Sequence, residues 1–346
     1  METVDTPDRM EVTNETDAPD WMEVTNESDE PARNYAALLP INLKDHVLKW
    51  FAEDCPTFDY SGFVIGNNEE TSTLSIKSSC VLAGVPFFDQ VFSLVDCEVK
   101  WMFKEGDYIS VEPDSRAVLA TVRGPLRKLL LGKRIALNVL SRCTSIATQT
   151  RKMVDILKKE KYTGQLAGTR ETTPGFRLVE NYGMMVGGAH GHHYDLSTII
   201  FLKAKNIKRE TCITVALGAA RSAAGYSRKI AVKVAKESDA LSAVKGGADI
   251  IVLDALKIKH VKLVAWHVNQ NATFEMPFII ECSGGITPEN VTSYISNGKS
   301  CHFYTSQLTM MHLDISVIST SWIHQGVPHI DFSLKINKPN SSAKSK

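Results

Sequence analysis

The residues best suited to chemistry lie in a Thr- and Arg-rich loop at residues 168–177, which follows a short apolar strand. Thr173-Pro174 is predicted to open a helix whose first turn carries Arg177. Proline suits the first helical position because the N–H that it lacks would have no partner there. Arg170 and the threonine hydroxyls would then lie beside a positive helix N-terminus, an arrangement that holds a small anion. A polar loop that only connects two elements is the alternative.

Other polar residues follow predicted strands at the points where those strands end. In an α/β barrel the carboxyl ends of the parallel strands form one face, which carries the active residues. Strand position alone selects Arg170, Lys203, Glu237, Asp254, Ser283, Gly284 and Gly285. A charge directly after an apolar run, as at Asp254, favours a functional role. A lysine that merely ends a buried strand and a Ser-Gly-Gly turn without a ligand remain alternatives for Lys203 and for residues 283–285.

Three histidines, His190, His192 and His193, stand close together after the loop. On casual inspection they resemble a metal-binding cluster. An extended segment with this spacing lacks the additional ligands that a zinc site requires. We therefore predict no dedicated metal site from these histidines, and metal binding by them is the weaker hypothesis.

The rest of the sequence indicates two architectures. Between residues 71 and 122, short apolar runs separated by Gly-Asp and Glu-Pro breaks predict an antiparallel sheet. Apolar residues at helical spacing predict one long helix over 126–160. Alternating strands and helices follow, a pattern typical of a parallel sheet covered by helices. The strands of this second part are predicted at 165–167, 183–186, 198–203, 230–234, 249–253, 278–282 and 315–319.

Three segments are predicted to lie outside this framework. Residues 5–16, DTPDRMEVTNET, recur as residues 17–28, DAPDWMEVTNES. Because this region is acidic and has little to bury, residues 1–34 are predicted to be a disordered tail. Residues 301–313 are expected to be an insertion before the last barrel strand. Residues 335–346 are expected to form a polar, frayed end.

Composition limits the classes of function. The 346 residues include 39 basic and 39 acidic side chains, so no overall field draws the chain to nucleic acid or to a membrane surface. No apolar run is long enough to span a bilayer, and the acidic N-terminus is unlike a signal peptide. Seven cysteines without C-x-x-C spacing predict reduced thiols. We expect a cytoplasmic protein with neither nucleic-acid nor membrane partners.

The loop at 168–177 is part of a longer pattern that resembles the quinolinate phosphoribosyltransferase family. The loop reads GTRETTPGFR where the family has GTRKTTPGFR. Further matching segments are residues 53–56, 82–84, 122–125, 134–148, 283–286 and 331–335. The resemblance implies an α/β fold with an N-terminal α/β sandwich at 35–145 and an open, incomplete α/β barrel at 146–320. It also implies that residues 321–346 return to the sandwich.

The same resemblance implies a reaction. The phosphoribosyl group of phosphoribosyl pyrophosphate is transferred to quinolinate with decarboxylation, which gives nicotinate mononucleotide, pyrophosphate and CO2 for NAD biosynthesis. Mg²⁺ is the implied cofactor, carried mainly by phosphoribosyl pyrophosphate, with Glu237 and Asp254 as candidate protein ligands. The implied assembly is a homodimer with shared active sites, or a hexamer built from such dimers.

Individual roles also follow from the resemblance. Recognition of the quinolinate carboxylates is implied for Arg134, Arg170, Arg177 and His192, with Arg134 reaching into the site of the partner subunit. Lys203 is implied to bind phosphoribosyl, and Glu237 and Asp254 to form an acid pair on adjacent strands. The amides of residues 283–285 are implied to cradle a phosphate, where glycine allows close approach. Taken alone, Arg134 is equally well a solvated surface arginine.

Three positions expected to contact substrate depart from the family pattern. Glu171 stands where the family has lysine, His193 where it has arginine, and Ser321 where it has the glycine of a phosphate turn. One unit charge at about 4 Å is worth roughly 4 kcal/mol at an effective dielectric constant near 20, so Glu171 opposes anionic substrates. The second hypothesis is therefore a catalytically impaired paralogue that acts as an oligomer subunit or binds a metabolite. A third is phosphoribosyl transfer to another aromatic acid.

Overall fold

The computed structural model describes residues 34–207, 211–254, 261, 264–265, 268, 277–295 and 315–337. The predictions for the acidic repeat and for the insertion at 301–313 lie outside these residues. From Tyr35 onward the described residues form one compact unit. No helix in them is both long and apolar enough to cross a membrane.

The elements fall into two parts along the chain. The first part contains a 3₁₀ turn Tyr35–Leu38, α1 Leu43–Asp54, α2 Tyr60–Ile65, β1 Glu69–Ile76, β2 Cys80–Val81, α3 Val85–Leu94, β3 Glu98–Trp101, β4 Tyr108–Ile109, β5 Ala117–Pro125 and α4 Leu126–Lys159. The second part contains β6 Gln165–Ala167, α5 Arg177–Gly187, β7 Ile200–Lys203, α6 Ala204–Ile207, α7 Ile213–Ala224, β8 Ile230–Val234, α8 Glu237–Lys245, β9 Ile250–Asp254, β10 Ile279–Ser283, α9 Val291–Tyr294, β11 Val317–Ser319 and β12 Phe332–Ile336.

The first sheet is antiparallel, with the strand order β12-β1-β5-β3. Along β1 the buried side chains alternate with more exposed ones, so one face of the sheet packs on the core. The last strand, β12, pairs with β1, so the chain returns to this sheet at its end. The predicted start of the frayed end is wrong, because Lys335 and Ile336 pair with Thr73 and Ser72.

The second sheet is parallel, with the order β6-β11-β10-β9-β8-β7. Strands β6 and β7 form its two edges, and helices connect several of the strands. The parallel sheet that the strand–helix pattern predicts is confirmed, and it agrees with the open α/β barrel that the family resemblance implies. Its apolar residues form a core separate from that of the antiparallel sheet.

Helix α4 belongs to both cores. Its 34 residues correspond to a length of about 50 Å at 1.5 Å per residue. Leu129 and Leu140 lie in the core of the antiparallel sheet, whereas Met153 and Leu157 lie in the barrel core. The helix therefore fixes the position of the barrel on the sandwich, and it continues unbroken through the predicted boundary at 145/146.

Two local predictions are wrong around α5. The run 183–186, predicted as a strand, lies inside this helix. The prediction failed because a short apolar run fits a helix and a strand equally well by periodicity alone. The helix begins at Arg177 rather than at Thr173-Pro174, and residues 174–176 form a turn. Arg177 is nonetheless in the first turn of the helix.

Close packing of α5 on α4 depends on glycine. A Cβ atom at Gly187 would lie 2.5 Å from Thr150 Cβ and 2.6 Å from the Ala147 carbonyl oxygen. We expect Gly187→Ala to lower the free energy of unfolding by about 1–3 kcal/mol, because the two helix backbones must separate. Urea denaturation measures this difference.

Gly218 in α7 supplies the matched control, since a Cβ there would meet no atom within 4 Å. Gly218→Ala should be neutral or stabilise by up to about 1 kcal/mol through helix propensity. Equal effects at both positions would show that α4–α5 contact does not require glycine.

Candidate active site

The barrel sheet aligns polar residues in two rows on one face. Residues in register on neighbouring parallel strands point to the same side, and so do residues two apart on a strand. The first row contains Lys203 of β7, Lys233 of β8 and Glu281 of β10. The next row toward the carboxyl ends contains Asp254, Ser283 and Ser319. Several predicted site residues are therefore brought to one end of the barrel.

Asp254 ends β9 as predicted, and its partner is a lysine. Lys233 Nζ lies 2.9 Å from Asp254 Oδ1, and both side chains are more than two-thirds buried. Lys233 was not predicted as a site residue, because it lies inside β8 and the predicted residues lie at or after the ends of strands. The available signal was a single charge inside the apolar run Ile-Ala-Val-Lys-Val.

The predicted position of Glu237 on a barrel strand is wrong. Strand β8 ends at Val234, and Glu237 is the first residue of α8. An acidic residue in the first turn is favoured by the helix dipole, which gives Glu237 a structural reason for its place. The acid pair predicted on adjacent strands is thus replaced by the ion pair of Lys233 with Asp254.

Arg170 lies just beyond β6 on a loop whose backbone is hydrogen-bonded to His324. The backbone N–H of Thr169 donates to Nε2 of the buried His324 at 3.2 Å. Burial lowers the pKa of His324, which keeps the ring neutral and able to accept this bond. The Nε atom of Arg170 is buried and has no hydrogen-bond partner among the described residues. Since buried polar atoms are nearly always paired, this atom is available to a ligand or a water molecule.

Glu171 is exposed and ionised. A hydrogen bond from the Thr169 side chain is the main cause that lowers the pKa of Glu171, and the charge of Lys233 lowers it further. Glu171 therefore lies within electrostatic reach of the barrel residues. The negative charge expected from the sequence is present, and Lys233 partly balances it.

Arg177 connects two loops. Its Nε donates to Thr172 Oγ1 at 2.9 Å, and its Nη1 donates to the Tyr194 carbonyl at 2.6 Å. The guanidinium also lies over the Tyr194 ring, 5.6 Å from the ring centroid. Arg177 thus holds the Thr-Arg loop and the histidine segment together, while its predicted contact with a carboxylate stays a prediction.

His192 is oriented by an acidic residue that sequence reasoning missed. Its Nε2 lies 3.2 Å from Oε1 of Glu281, and the buried Ser319 hydroxyl donates to the same oxygen. The Nδ1 atom of His192 is buried without a partner in the described part of the chain. As with Lys233, the signal for Glu281 was a charge inside an apolar strand.

His193, the neighbour of His192, does not supply the cation that an arginine would. Burial is the main cause that lowers the pKa of His193, and its Nδ1 lies 3.0 Å from the Asp195 carbonyl oxygen. His193 therefore carries no charge at neutral pH, unlike an arginine. Within the described ranges, no three His, Cys, Asp or Glu side chains are grouped to hold a metal ion.

Ser283 is the last residue of β10, and Gly284 and Gly285 form a bend directly after it with open space beside Gly285. Gly284 and Gly285 have φ angles of +103° and +63°, which side chains other than glycine rarely adopt. A Cβ at Gly285 would meet nothing within 4 Å, so its backbone is accessible. Asn290 donates to the Gly285 carbonyl at 2.9 Å and fixes the bend.

Two further predicted residues lie at the surface and in a turn. Ser321 begins the turn after β11 and accepts hydrogen bonds from the backbone of His324 and Gln325. Arg134 lies on α4 with an exposed side chain. Among the described residues Arg134 has no ion-pair partner, so its side chain is available to another molecule.

A buried ion pair that sequence reasoning missed lies beneath the Thr-Arg loop. Glu180 of α5 is fully buried and accepts from Arg142 of α4 at 2.9 Å. It also accepts from the backbone N–H and the hydroxyl of Thr173, at 3.0 and 2.8 Å. Arg142 also donates to the His324 carbonyl at 2.7 Å. The network ties the loop and the turn after β11 to the two helices. The sequence did not indicate it, because a glutamate in an amphipathic helix usually lies on the exposed face.

This architecture defines a class of protein: an open α/β barrel with polar residues at the carboxyl ends of its strands, joined to an antiparallel sandwich domain. The family models for the N-terminal and C-terminal domains of quinolinate phosphoribosyl transferase match residues 57–144 and 146–335. The chain belongs to the quinolinate phosphoribosyl transferase family.

Individual relatives agree with this assignment. The chain is 38% identical over 307 residues to human nicotinate-nucleotide pyrophosphorylase [carboxylating], which covers 88% of this chain and 95% of the human protein. It is 37% identical to the Dictyostelium discoideum protein of the same name, over 87% of this chain and 98% of that protein. NadC from Streptococcus pyogenes, a solved structure, has a TM-score of 0.72 at 27% identity and covers 86% of this chain and 96% of its own.

Proposed function

We propose that the protein transfers the phosphoribosyl group of phosphoribosyl pyrophosphate to quinolinate, with loss of CO2, to form nicotinate mononucleotide for NAD biosynthesis. Membership of the quinolinate phosphoribosyl transferase family supports this activity. The observation that carries it is that two of the five buried side-chain atoms without a partner among the described residues, Arg170 Nε and His192 Nδ1, belong to residues predicted to bind quinolinate. A ligand carboxylate satisfies such atoms. The comparisons give no support to the impaired paralogue.

The reaction has two stages. The ring nitrogen of quinolinate attacks C1 of the ribose as the bond from C1 to pyrophosphate breaks. The nitrogen then carries positive charge, which stabilises the electron pair left on the adjacent ring carbon when the carboxylate on that carbon leaves as CO2. A proton from water replaces it at carbon. In this scheme Arg170 and His192 hold the carboxylates of quinolinate, and Lys203 binds the phosphoribosyl group. The chain contributes by holding the two substrates in a reactive orientation.

Asp254 faces the ribose in this scheme and stabilises the positive charge that develops at C1. The exposed amides of the Gly284–Gly285 bend receive the 5′-phosphate. Mg²⁺ fits the site as a partner of the substrate diphosphate, because Mg²⁺ typically binds one or two carboxylates together with substrate phosphates. Asp254 is the carboxylate placed to contribute, and when bound the ion neutralises charge on the leaving pyrophosphate.

Arg134 completes the site of a second copy in this proposal, so the active form is a homodimer or a hexamer of dimers. Its exposed side chain on α4 supports this role. The six cysteines that the structure describes are all unpaired, which supports a cytoplasmic location.

The direct test combines the purified full-length protein with quinolinate, phosphoribosyl pyrophosphate and Mg²⁺ and follows nicotinate mononucleotide and CO2. We expect both products in equal amounts. Formation of neither product, with quinolinate still bound in calorimetry, would support the metabolite-binding alternative. Turnover of another aromatic acid in preference to quinolinate would support the third hypothesis.

Glu281 should act by orienting His192. We expect Glu281→Gln to lower kcat/KM for quinolinate about ten- to a hundredfold, because a displaced binding group near the reacting atoms is costly. The KM for phosphoribosyl pyrophosphate should change less than about twofold, since the phosphates bind elsewhere. Steady-state kinetics with each substrate varied in turn measures both effects.

Glu289→Gln, at an exposed position after the Ser-Gly-Gly bend, is the control and should behave as the native protein. An equal rise in KM for both substrates of Glu281→Gln would indicate a general disturbance of the barrel instead of a role through His192.

A further inference from the structure

Lys233 occupies an unusual position in the barrel sheet. It lies one residue before the end of β8, in register with Lys203 on the adjacent strand β7. Neighbouring strands lie about 4.8 Å apart, so the two lysines start side by side on the same face. Their side chains thus leave the sheet on one face, close enough together for a single ligand to contact both.

Two carboxylates, those of Asp254 and Glu171, interact electrostatically with Lys233. Asp254 lies 2.9 Å from its Nζ. Glu171 is also near enough for the lysine's charge to lower the pKa of that carboxyl. Lys233 is therefore paired with Asp254 and lies within electrostatic reach of Glu171, at the end of the barrel that also carries Lys203.

Lys233 can supply positive charge that is absent at residue 171. The family has a lysine at that loop position, and this chain has Glu171. A site for a diphosphate then loses one cation and gains one anion, which at short range opposes binding. Lys233 returns a cation to the same end of the barrel from strand β8. Lysine binds phosphate well as a compact point charge.

We propose that Lys233 is a substrate-binding residue for the diphosphate of phosphoribosyl pyrophosphate, acting beside Lys203 and replacing the cation that is absent at position 171. This inference rests on the proposed function. In the free protein Asp254 holds the ammonium in place. The incoming diphosphate competes with Asp254 for it, so Asp254 is left to face the ribose.

Calorimetry with inorganic pyrophosphate and Mg²⁺ on the full-length protein tests the proposal. Lys233→Met should raise the Kd for pyrophosphate about ten- to a hundredfold, the range for losing a hydrogen bond between charged partners. The Kd for quinolinate should stay within about twofold. Lys233→Arg should bind pyrophosphate nearly as tightly as the native protein because the charge is kept.

Lys229→Met is the matched control, since Lys229 is exposed at the opposite end of the same strand. Lys233→Gln guards against misfolding, because its amide still donates to Asp254 while the charge is lost. Native pyrophosphate affinity in both Lys233→Met and Lys233→Gln would overturn the proposal and leave Lys233 as a counter-ion to Asp254. If the native protein binds no pyrophosphate and forms no nicotinate mononucleotide, the proposed function fails as well.

Discussion

Replacing Arg170 by alanine is expected to lower kcat/KM for quinolinate about a hundred- to a thousandfold. The guanidinium Nε is buried without a partner among the described residues, so a quinolinate carboxylate would make a charge-assisted bond in a site that excludes water. Removing one member of such a pair costs about 2–5 kcal/mol, most of it from the carboxylate left unpaired. Initial-rate measurements with quinolinate varied at saturating phosphoribosyl pyrophosphate give the ratio.

Two companion variants make the result specific. Arg116→Ala removes an exposed arginine before β5 and should leave kcat/KM unchanged within about twofold. Arg170→Lys keeps the charge and loses the planar fork, so we expect an intermediate loss. An Arg170→Ala enzyme within tenfold of native activity would move the carboxylate site away from this loop.

The fold was predictable because its signals are local and repeated. Alternating burial along β1 and the long apolar stripe of α4 follow directly from residue periodicity. The open barrel followed from alternating strands and helices, together with the family resemblance. The run at 183–186 failed because four apolar residues carry no decisive period, and only packing against α4 fixes them as helix.

The positions of the candidate site residues were predictable only where those residues follow strand ends. Arg170, Asp254 and the Ser-Gly-Gly bend lie where the barrel rule places them. Lys233 and Glu281 lie inside strands, and their importance depends on contacts with Asp254 and His192 that are distant in sequence. Such pairings follow from sheet register, which sequence periodicity does not specify between strands so far apart.

The effect of a departure from the family pattern also depends on neighbouring side chains, so one position alone is a poor guide to it. Glu171 alone suggests a damaged pocket. With Lys233 in reach of its charge, the net change at the barrel end is smaller than the single position implies. Ser321 has no left-handed backbone angle that would demand glycine, so serine causes no backbone strain in this turn. Charge at a binding site is a property of the assembled side chains.

Glu180→Gln is expected to lower the free energy of unfolding by about 3–5 kcal/mol, because it leaves the guanidinium of Arg142 buried without a compensating charge. Glu180 is fully buried and Arg142 nearly so. Guanidinium chloride denaturation measures the change. Glu53→Gln, at an exposed position on α1, is the control and should stay within about 0.5 kcal/mol of native.

A double variant separates stability from positioning. Arg142→Met combined with Glu180→Leu removes both charges, and apolar replacement of a buried pair is often neutral for stability. The double variant should therefore regain much of the lost free energy. Thr173 and the His324 carbonyl still lose their partners, so the loop that carries Arg170 stays poorly held and kcat/KM should remain low. Recovery of activity together with stability would show that the ion pair only supports the helices, and that Arg170 is positioned by His324 and Thr169 alone.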